Sequence, residues 1–247
     1  TQSDYRAIVG ESLGLIYGYE FDGIYQVDDF YTSAATGKLI LKPGITNNTR
    51  YDGGAAPGVV KYKDQNGDGK ITTADRTVIG NAMPKWFGGI TNSFSFKGID
   101  FSFMLQYSYG NDVFNATRQF ATGSQDQRYN MLAEVADRWS PTNASNKVPS
   151  TKGYVKGDVY SRFVEDGSFL RLKNMTLGYS LPKKWINKIH ISKLRIYGTT
   201  QNLFCISGYS GYDPEVSTAA SNPMTPGLDW GAYPKSRVFT FGLDVQF

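Results

Sequence analysis

WFGGITNSFSFKGIDFSFMLQYSYG, residues 86–110, decides the fold. From Ile99 every second residue is apolar: Ile99, Phe101, Phe103, Leu105, Tyr107 and Tyr109 alternate with Asp100, Ser102, Met104, Gln106 and Ser108. Upstream, Trp86, Ile90, Phe94 and Phe96 share one parity, opposite Thr91, Ser93, Ser95 and Lys97. Successive side chains of a strand point to opposite faces, so the stretch reads as two two-faced strands joined at Lys97-Gly98. A soluble sandwich also alternates, but two features point away from it. Each run is about 10–13 residues, against about 5–6 for a globular strand and about 9–11 for a tilted membrane-crossing one. The polar face is small and uncharged instead of rich in Lys and Glu, as suits the inside of a wide barrel whose apolar face meets lipid. Trp86, Tyr107, Tyr109 and the final Phe247 then supply interfacial girdles.

Three further runs extend the pattern. In KSRVFTFGLDVQF (235–247), Phe239, Phe241, Leu243, Val245 and Phe247 alternate with Thr240, Gly242, Asp244 and Gln246. SFLRLKNMTLGYSL (168–181) alternates from Met175 through Leu177, Tyr179 and Leu181, whereas KLRIYGTTQNLFCIS (193–207) is strand-like with poorly separated faces. The connections alternate too: 97–98 and 182–192 are short, 111–167 and 208–234 long, as in an outer-membrane barrel with its long loops outside. Strand parity then places Phe247 in the periplasm and residues 1–85 outside the cell. About five strands cannot close a barrel, and an open sheet edge is untenable in lipid, so the remaining strands are expected elsewhere. The expected fold is all-β: part of a large transmembrane antiparallel barrel, with 1–85 as an extracellular loop region and 86–247 as C-terminal barrel strands and loops. One helix is expected over 126–139, where Tyr129, Leu132, Val135, Ala136 and Trp139 recur at helical spacing before Pro141.

Composition agrees with strands and tight turns: of 247 residues 15% are aromatic, with 17 Tyr, 15 Phe and 27 Gly. A net charge of +4 without a dense basic run argues against nucleic acid. One cysteine, Cys205, and one histidine, His190, exclude an internal disulfide and a thiolate metal cluster. No apolar run approaches the ~18 residues of a membrane helix. TQSDYRAIVG at the start has no signal-peptide pattern, so either the protein stays in the cytoplasm or the chain begins partway along a longer one. GESLG (10–14) matches a nucleophile elbow around Ser12, but no helix pattern follows and His190 lies in a distant turn. The acidic pairs Asp28-Asp29 and Glu165-Asp166 read as surface charges. No enzyme is expected.

DQNGDGKITTAD (64–75) carries the ligand spacing of a calcium loop: Asp64, Asn66 and Asp68 at positions 1, 3 and 5, Gly69 at the sharp turn, Lys70 for a backbone carbonyl, Ile71 apolar, and Asp75 closing. Two readings stand. A structural Ca²⁺ stiffens a surface loop, or DxNxDG is an Asx-turned loop that needs no ion.

Several motifs then follow one another in order: YGYEFDGIYQ (17–26), VVKYKDQNGDGKITTADRTVIGNAMPKWFGG (59–89), RWSPTN (138–143), RFVEDGSFLRLKNMTLGYSLP (162–182), LRIYGTTQNLF (194–204) and GYDPEV (211–216). With the aromatic-terminated last strand, they resemble the C-terminal portion of a SusC/RagA-type TonB-dependent transporter. The resemblance implies an outer-membrane protein of a Gram-negative bacterium, with a plug and the rest of the barrel N-terminal to this segment. It also implies a SusD-like surface lipoprotein as lid, TonB as energy source, and glycan oligosaccharides or peptides as cargo. Loop aromatics Tyr154, Tyr160, Tyr209, Tyr212, Trp230 and Tyr233 are candidates to meet substrate, with SGYSGYDPEV and GLDWGAYP the first places to look. The competing reading is a soluble β-rich calcium- or carbohydrate-binding module.

Overall fold

A computed structural model describes residues 4–123, 129–186, 190–219 and 222–247. The chain divides into two compact units. One combines residues 1–83, 112–165 and 216–231; the other combines 84–111, 166–215 and 232–247.

The second unit is a five-stranded antiparallel sheet: β1 (Trp86–Phe96), β2 (Ile99–Tyr109), β3 (Phe169–Ser180), β4 (Lys193–Ser207) and β5 (Val238–Gln246), each beside the next in chain order. Lys97 and Gly98 both have positive φ, 46° and 86°. That is the requirement of a two-residue type I′ hairpin, whose twist matches that of the strands. On one face Phe96, Phe94 and Ile90 sit opposite Ile99, Phe101 and Leu105, and the row continues through Leu177 and Tyr179 of β3. The Phe94, Phe101 and Phe103 rings lie 5.7–6.4 Å apart on this face. Phe94, Phe96 and Phe241 remain exposed, Phe241 at 86%, as befits a face turned to lipid instead of a second sheet.

The two strands whose patterning was weakest carry irregularities. Pairing of β3 with β2 jumps from Leu172↔Leu105 to Asn174↔Met104, so Lys173 is an extra, bulged residue. The bulge changes the phase of the alternation, letting Leu170 and Leu172 share a face with Met175, Leu177 and Tyr179. In β4, pairing skips from Phe204 to Gln201 and Asn202 takes φ 51°. Elsewhere in β4, glycine and an aromatic oppose each other: Gly198 faces Phe241 and Tyr197 faces Gly242. A Cβ on Gly242 would stand 2.4 Å from the Tyr197 ring, and Tyr107 covers Gly88 in the same way. The missing side chains are replaced by rings from the neighbouring strand.

The opposite face, expected to be small and uncharged, instead carries ion pairs. Arg195 of β4 donates to both carboxylate oxygens of Asp100 on β2, at 2.9 and 2.5 Å, reaching across β3 at Gly178. At the far end, the guanidinium of Arg171 is buried against Asp213 at 2.5 Å. Glu215 is held by Lys173 at 3.6 Å and by Lys235. The GYDPEV segment is thereby fastened to β3.

The first unit is built from short ribbons around a tyrosine-rich core. Tyr5–Arg6, Leu15–Gly18 and Thr77–Asn81 form one sheet; Phe21–Ile24 pairs with Val60–Tyr62, and Phe30–Thr32 with Leu39–Leu41. Asp112–Asn115 pairs in parallel with Leu228–Asp229 and leads into helix α1 (Ala116–Gly123). Tyr19 stacks on Tyr62 at 4.8 Å, Tyr62 meets Tyr160 at 5.4 Å, and Phe163 closes the row edge-on at 5.0 Å. Tyr19 is bracketed by main-chain bonds to Val159 and Ser161. Residues 1–83 are thus a folded half of a core completed by 112–165 and 216–231, not a free-standing loop region.

The helix expected over 126–139 does not form in its described part, and residues 126–128 lie outside the described residues. Only a 3₁₀ turn, Ala133–Asp137, is present. The backbone at both ends is engaged elsewhere: Leu132 N–H donates to Ala121 at 3.0 Å and Trp139 N–H to Val148 at 2.8 Å. An α-helix comes earlier, in ATRQFATG, whose two threonines and glycine are weak helix formers, and a single further turn spans Lys183–Ile186.

Candidate functional site

The loop at 64–75 folds around its own side chains. Asp64 accepts from the amides of Gly67 at 2.7 Å and Gly69 at 2.8 Å. Asn66 caps Asp68, and Asp68 caps Lys70. Asp75, fully buried, accepts from Gln65 N–H at 3.1 Å and Thr72 N–H at 2.8 Å. Ile71 plugs the loop into the core, and its amide together with Gly69 O pairs with Asn47. Some desolvation pushes the Asp64 carboxyl up, but the amides of Gly69, Gly67 and Asp68 hold it below the usual range. These are Asx turns. As they stand, the oxygens of Asp64, Asn66, Asp68 and Asp75 are directed at amides. Among the described residues no three carboxylate, His or Cys side chains gather as a metal site.

Catalytic geometry does not assemble. Ser12 Oγ donates to Leu13 O at 3.0 Å, with Asn81 Oδ1 at 3.4 Å, and a strand instead of a helix follows it. Asp29 caps Gln26 N–H, Glu165 accepts from Asn115 and Arg118, and Asp166 accepts from Ser168. These carboxylates are structural.

A cavity of about 1060 Å³ opens in the first unit. Its walls carry the rings of Tyr5, Phe114, Phe120, Tyr129, Tyr154, Tyr160 and Trp230. Phe120 meets Tyr129 at 5.1 Å and Trp230 at 5.6 Å, both edge-on. Thr218 Oγ1 donates to Leu228 O and accepts from Trp230 N–H, fixing that residue's backbone. Beside the cavity an ion cluster locks α1: Arg118 grips Glu134 with two bonds of 2.8 Å and Glu165 with one of 3.1 Å, while Arg162 reaches Glu134 at 3.0 Å.

The structure therefore distributes the loop aromatics. Trp230, Tyr154 and Tyr160 line the cavity, whereas Tyr209, Tyr212 and Tyr233 belong to the other unit. Tyr209 is buried against Gly211, and Tyr212 and Tyr233 are exposed. Sequence reasoning missed Tyr5, Phe114, Phe120 and Tyr129 as cavity residues. Tyr129 had been assigned to a helix face, and no local signal marks the other three.

No protein-family model matches the chain. TonB-dependent receptor P3 of Formosa agariphila is 35% identical over 243 residues, covering 96% of this chain and 22% of that protein. TonB-dependent receptor SusC of Bacteroides thetaiotaomicron is 32% identical over 199 residues, 80% of this chain and 18% of SusC. Among solved structures, the RagAB peptide transporter superposes with a TM-score of 0.67 at 24% identity, over 94% of this chain and 23% of that one. Its open-open state gives 0.65 at 21%. The chain spans about a fifth to a quarter of the length of these relatives. The five two-faced strands are barrel strands, and the chain belongs to the TonB-dependent receptors, SusC among its relatives, as the C-terminal portion of such a receptor.

Proposed function

We propose that the receptor containing this segment imports glycan oligosaccharides or peptides across the outer membrane of a Gram-negative bacterium. The N-terminal part of the barrel and the plug complete it, a SusD-like surface lipoprotein lids it, and TonB supplies the energy. The observation that carries this reading is the five-stranded sheet with one exposed apolar face and one charged face, in a chain 30–35% identical to TonB-dependent receptors. A soluble module would bury that apolar face against a second layer. We place the first unit on the extracellular side, since two of its three segments, 112–165 and 216–231, lie in the long connections between strands.

The test is uptake in the native source. Deleting the receptor or TonB is expected to abolish growth on one class of oligomer while monomer uptake continues. Affinity purification of the receptor in mild detergent is expected to bring down a SusD-like lipoprotein. Uptake that ignores TonB would sink the reading.

Calcium in loop 64–75 belongs to the same proposal, as a stiffener of an outside loop. The complete set of ligand positions supports it, and a cation would have to draw Asp64, Asp68 and Asp75 off their amides. Saturating Ca²⁺ is expected to raise the melting temperature of the receptor relative to chelator, by about 2.7 kcal/mol of stability at a hundredfold excess over Kd. Asp64→Asn should remove the shift. Equal melting with and without Ca²⁺ would leave the Asx turns as the whole account.

A further inference from the structure

One end of the five-stranded sheet gathers positive charge that the sheet itself does not neutralise. Lys97 and Gly98 join β1 to β2 there, residues 181–192 join β3 to β4, and β5 finishes beside them, where Ser192 N–H donates to Gln246 O at 2.7 Å. Two acidic side chains of this end are already held: Asp100 by Arg195 at 2.5 Å and Asp244 by Lys193 at 3.6 Å. Lys97, Lys183 and Lys184 are exposed, and among the described residues none of them has a carboxylate within ion-pair distance.

The local geometry aims these ammoniums outward. Lys97 stands where the apolar face ends. Its Nζ lies 5.1 Å from the centroid of the Phe96 ring, and Phe96 belongs to the row of Phe94 and Ile90 that faces lipid. The ammonium is thereby held on the lipid side of the sheet's end, its stem along a ring, the posture of a lysine at a membrane surface. Around the helical turn Lys183–Ile186 the backbone is fixed. Trp185 N–H donates to Pro182 O at 3.0 Å, Ile191 N–H to Ile186 O at 3.3 Å, and Leu181 N–H to Leu194 O at 2.9 Å. Ile186 is buried and the turn packs on β4, which leaves Lys183, Lys184 and Trp185 outside, the indole 64% exposed. An exposed indole is at home where headgroups meet hydrocarbon, with its ring in the apolar layer and its N–H in the wet one. Free ammoniums at that depth meet phosphates. A zwitterionic lipid brings a cation of its own with each phosphate, whereas an anionic one does not.

We propose that this end of the sheet is a docking surface for anionic glycerophospholipids of the inner leaflet, with Lys97, Lys183 and Lys184 on their phosphates and Trp185 at the headgroup boundary. The assignment rests on the reading above, in which the long connections are extracellular and the short turns periplasmic.

The full receptor, purified in detergent with its co-purifying partners, is reconstituted into bilayers of phosphatidylcholine mixed with phosphatidylglycerol, and the lipids it retains on release are counted by native mass spectrometry. Phosphatidylglycerol is expected to be enriched over phosphatidylcholine. The enrichment should fall about fivefold for each of Lys97→Gln, Lys183→Gln and Lys184→Gln, and fade at high salt. Lys147→Gln with Lys152→Gln, at exposed lysines of the first unit, should leave it unchanged. Equal retention of the two lipids, or an enrichment that survives either the triple variant or high salt, overturns the proposal. The salt series needs only the unaltered receptor and decides the matter if the triple variant does not assemble. In bilayers that also contain lipid A, retention of lipid A in place of phosphatidylglycerol overturns it as well and points to the outer leaflet. Uptake keeps the two readings apart. TonB-dependent uptake by a receptor without lipid preference removes the docking surface and keeps the transporter; a lysine-dependent preference with uptake that ignores TonB does the reverse.

Discussion

Gly178 shows how much one absent methyl group can matter. The Arg195–Asp100 pair runs directly over it, and a Cβ there would stand 2.5 Å from both the guanidinium and the carboxylate. Neither charged group can retreat without giving up a charge-assisted bond on the sheet's polar face. Gly178→Ala is expected to destabilise the receptor by about 1–3 kcal/mol, read from denaturant unfolding in detergent. Asp100→Ala with Gly178→Ala should recover part of the loss, because the crowding carboxylate is gone. The same residue-level reasoning separates the faces of β1. Ile90 sits mid-strand on the apolar face opposite Leu105, and Thr91 on the polar face opposite Met104. Ile90→Lys is expected to cost about 2–4 kcal/mol near the bilayer midplane, while Thr91→Lys folds nearly normally. Band-shift of unheated samples on gels would report both.

At the scale of elements, Lys173 and Glu134 carry the sharpest consequences. Deleting Lys173 removes the bulge and leaves Leu170, Leu172, Met175, Leu177 and Tyr179 on one face in strict alternation, whereas one further residue inserted beside Lys173 sends either the first two or the last three to the polar face. The insertion is expected to abolish assembly into the outer membrane, whereas the deletion and Lys173→Ser, which both keep the apolar face whole, should assemble. Glu134 governs the loop side. Two bonds from Arg118, opposed by some burial and helped by Arg162, hold its carboxyl below the usual range. A depressed carboxylate contributes fully above its unfolded value of about 4.3, and the contribution drains away as pH falls through the lower folded value. Protease sensitivity of the first unit should therefore rise below about pH 4. Glu134→Gln should be sensitive already at neutral pH and show less of that slope. These elements also mark where the sequence was legible. The hairpin at 97–98 and strands β1, β2 and β5 follow from period two and a Lys-Gly turn, because lipid on one side enforces strict alternation. A bulge breaks that period, so β3 was readable only from Met175 onward. The 126–139 segment has helical spacing, but tertiary bonds from Leu132 and Trp139 outcompete a local helix. The cavity was legible only through Trp230, Tyr154 and Tyr160; its other rings come from segments whose meeting is set by the core, not by nearby residues.

For the whole molecule, the division of labour is clear in the chemistry of the two units. The sheet exposes rows of rings and leucines that only lipid can cover, and edges that only further strands can pair. The first unit buries tyrosines among themselves, as a water-soluble domain does, and fastens its surface with ion pairs. Its core contacts are remote in sequence: Tyr19 and Tyr62 need Tyr160, and Phe114 needs Gly227 and Leu228. Between those partners the chain runs through β1 and β2, or through β3 and β4. Closing such long loops is entropically slow.

That three-part construction constrains anyone who wishes to exchange this unit between receptors. A cassette cut at the borders of one connection would carry half of a tyrosine stack and part of the cavity lining into a foreign host. Phe120 and Tyr129 come with one segment, Trp230 with another and Tyr5 with a third. A chimaera between two receptors should therefore work only when 1–83, 112–165 and 216–231 travel together, and their natural variation should be inherited as a block.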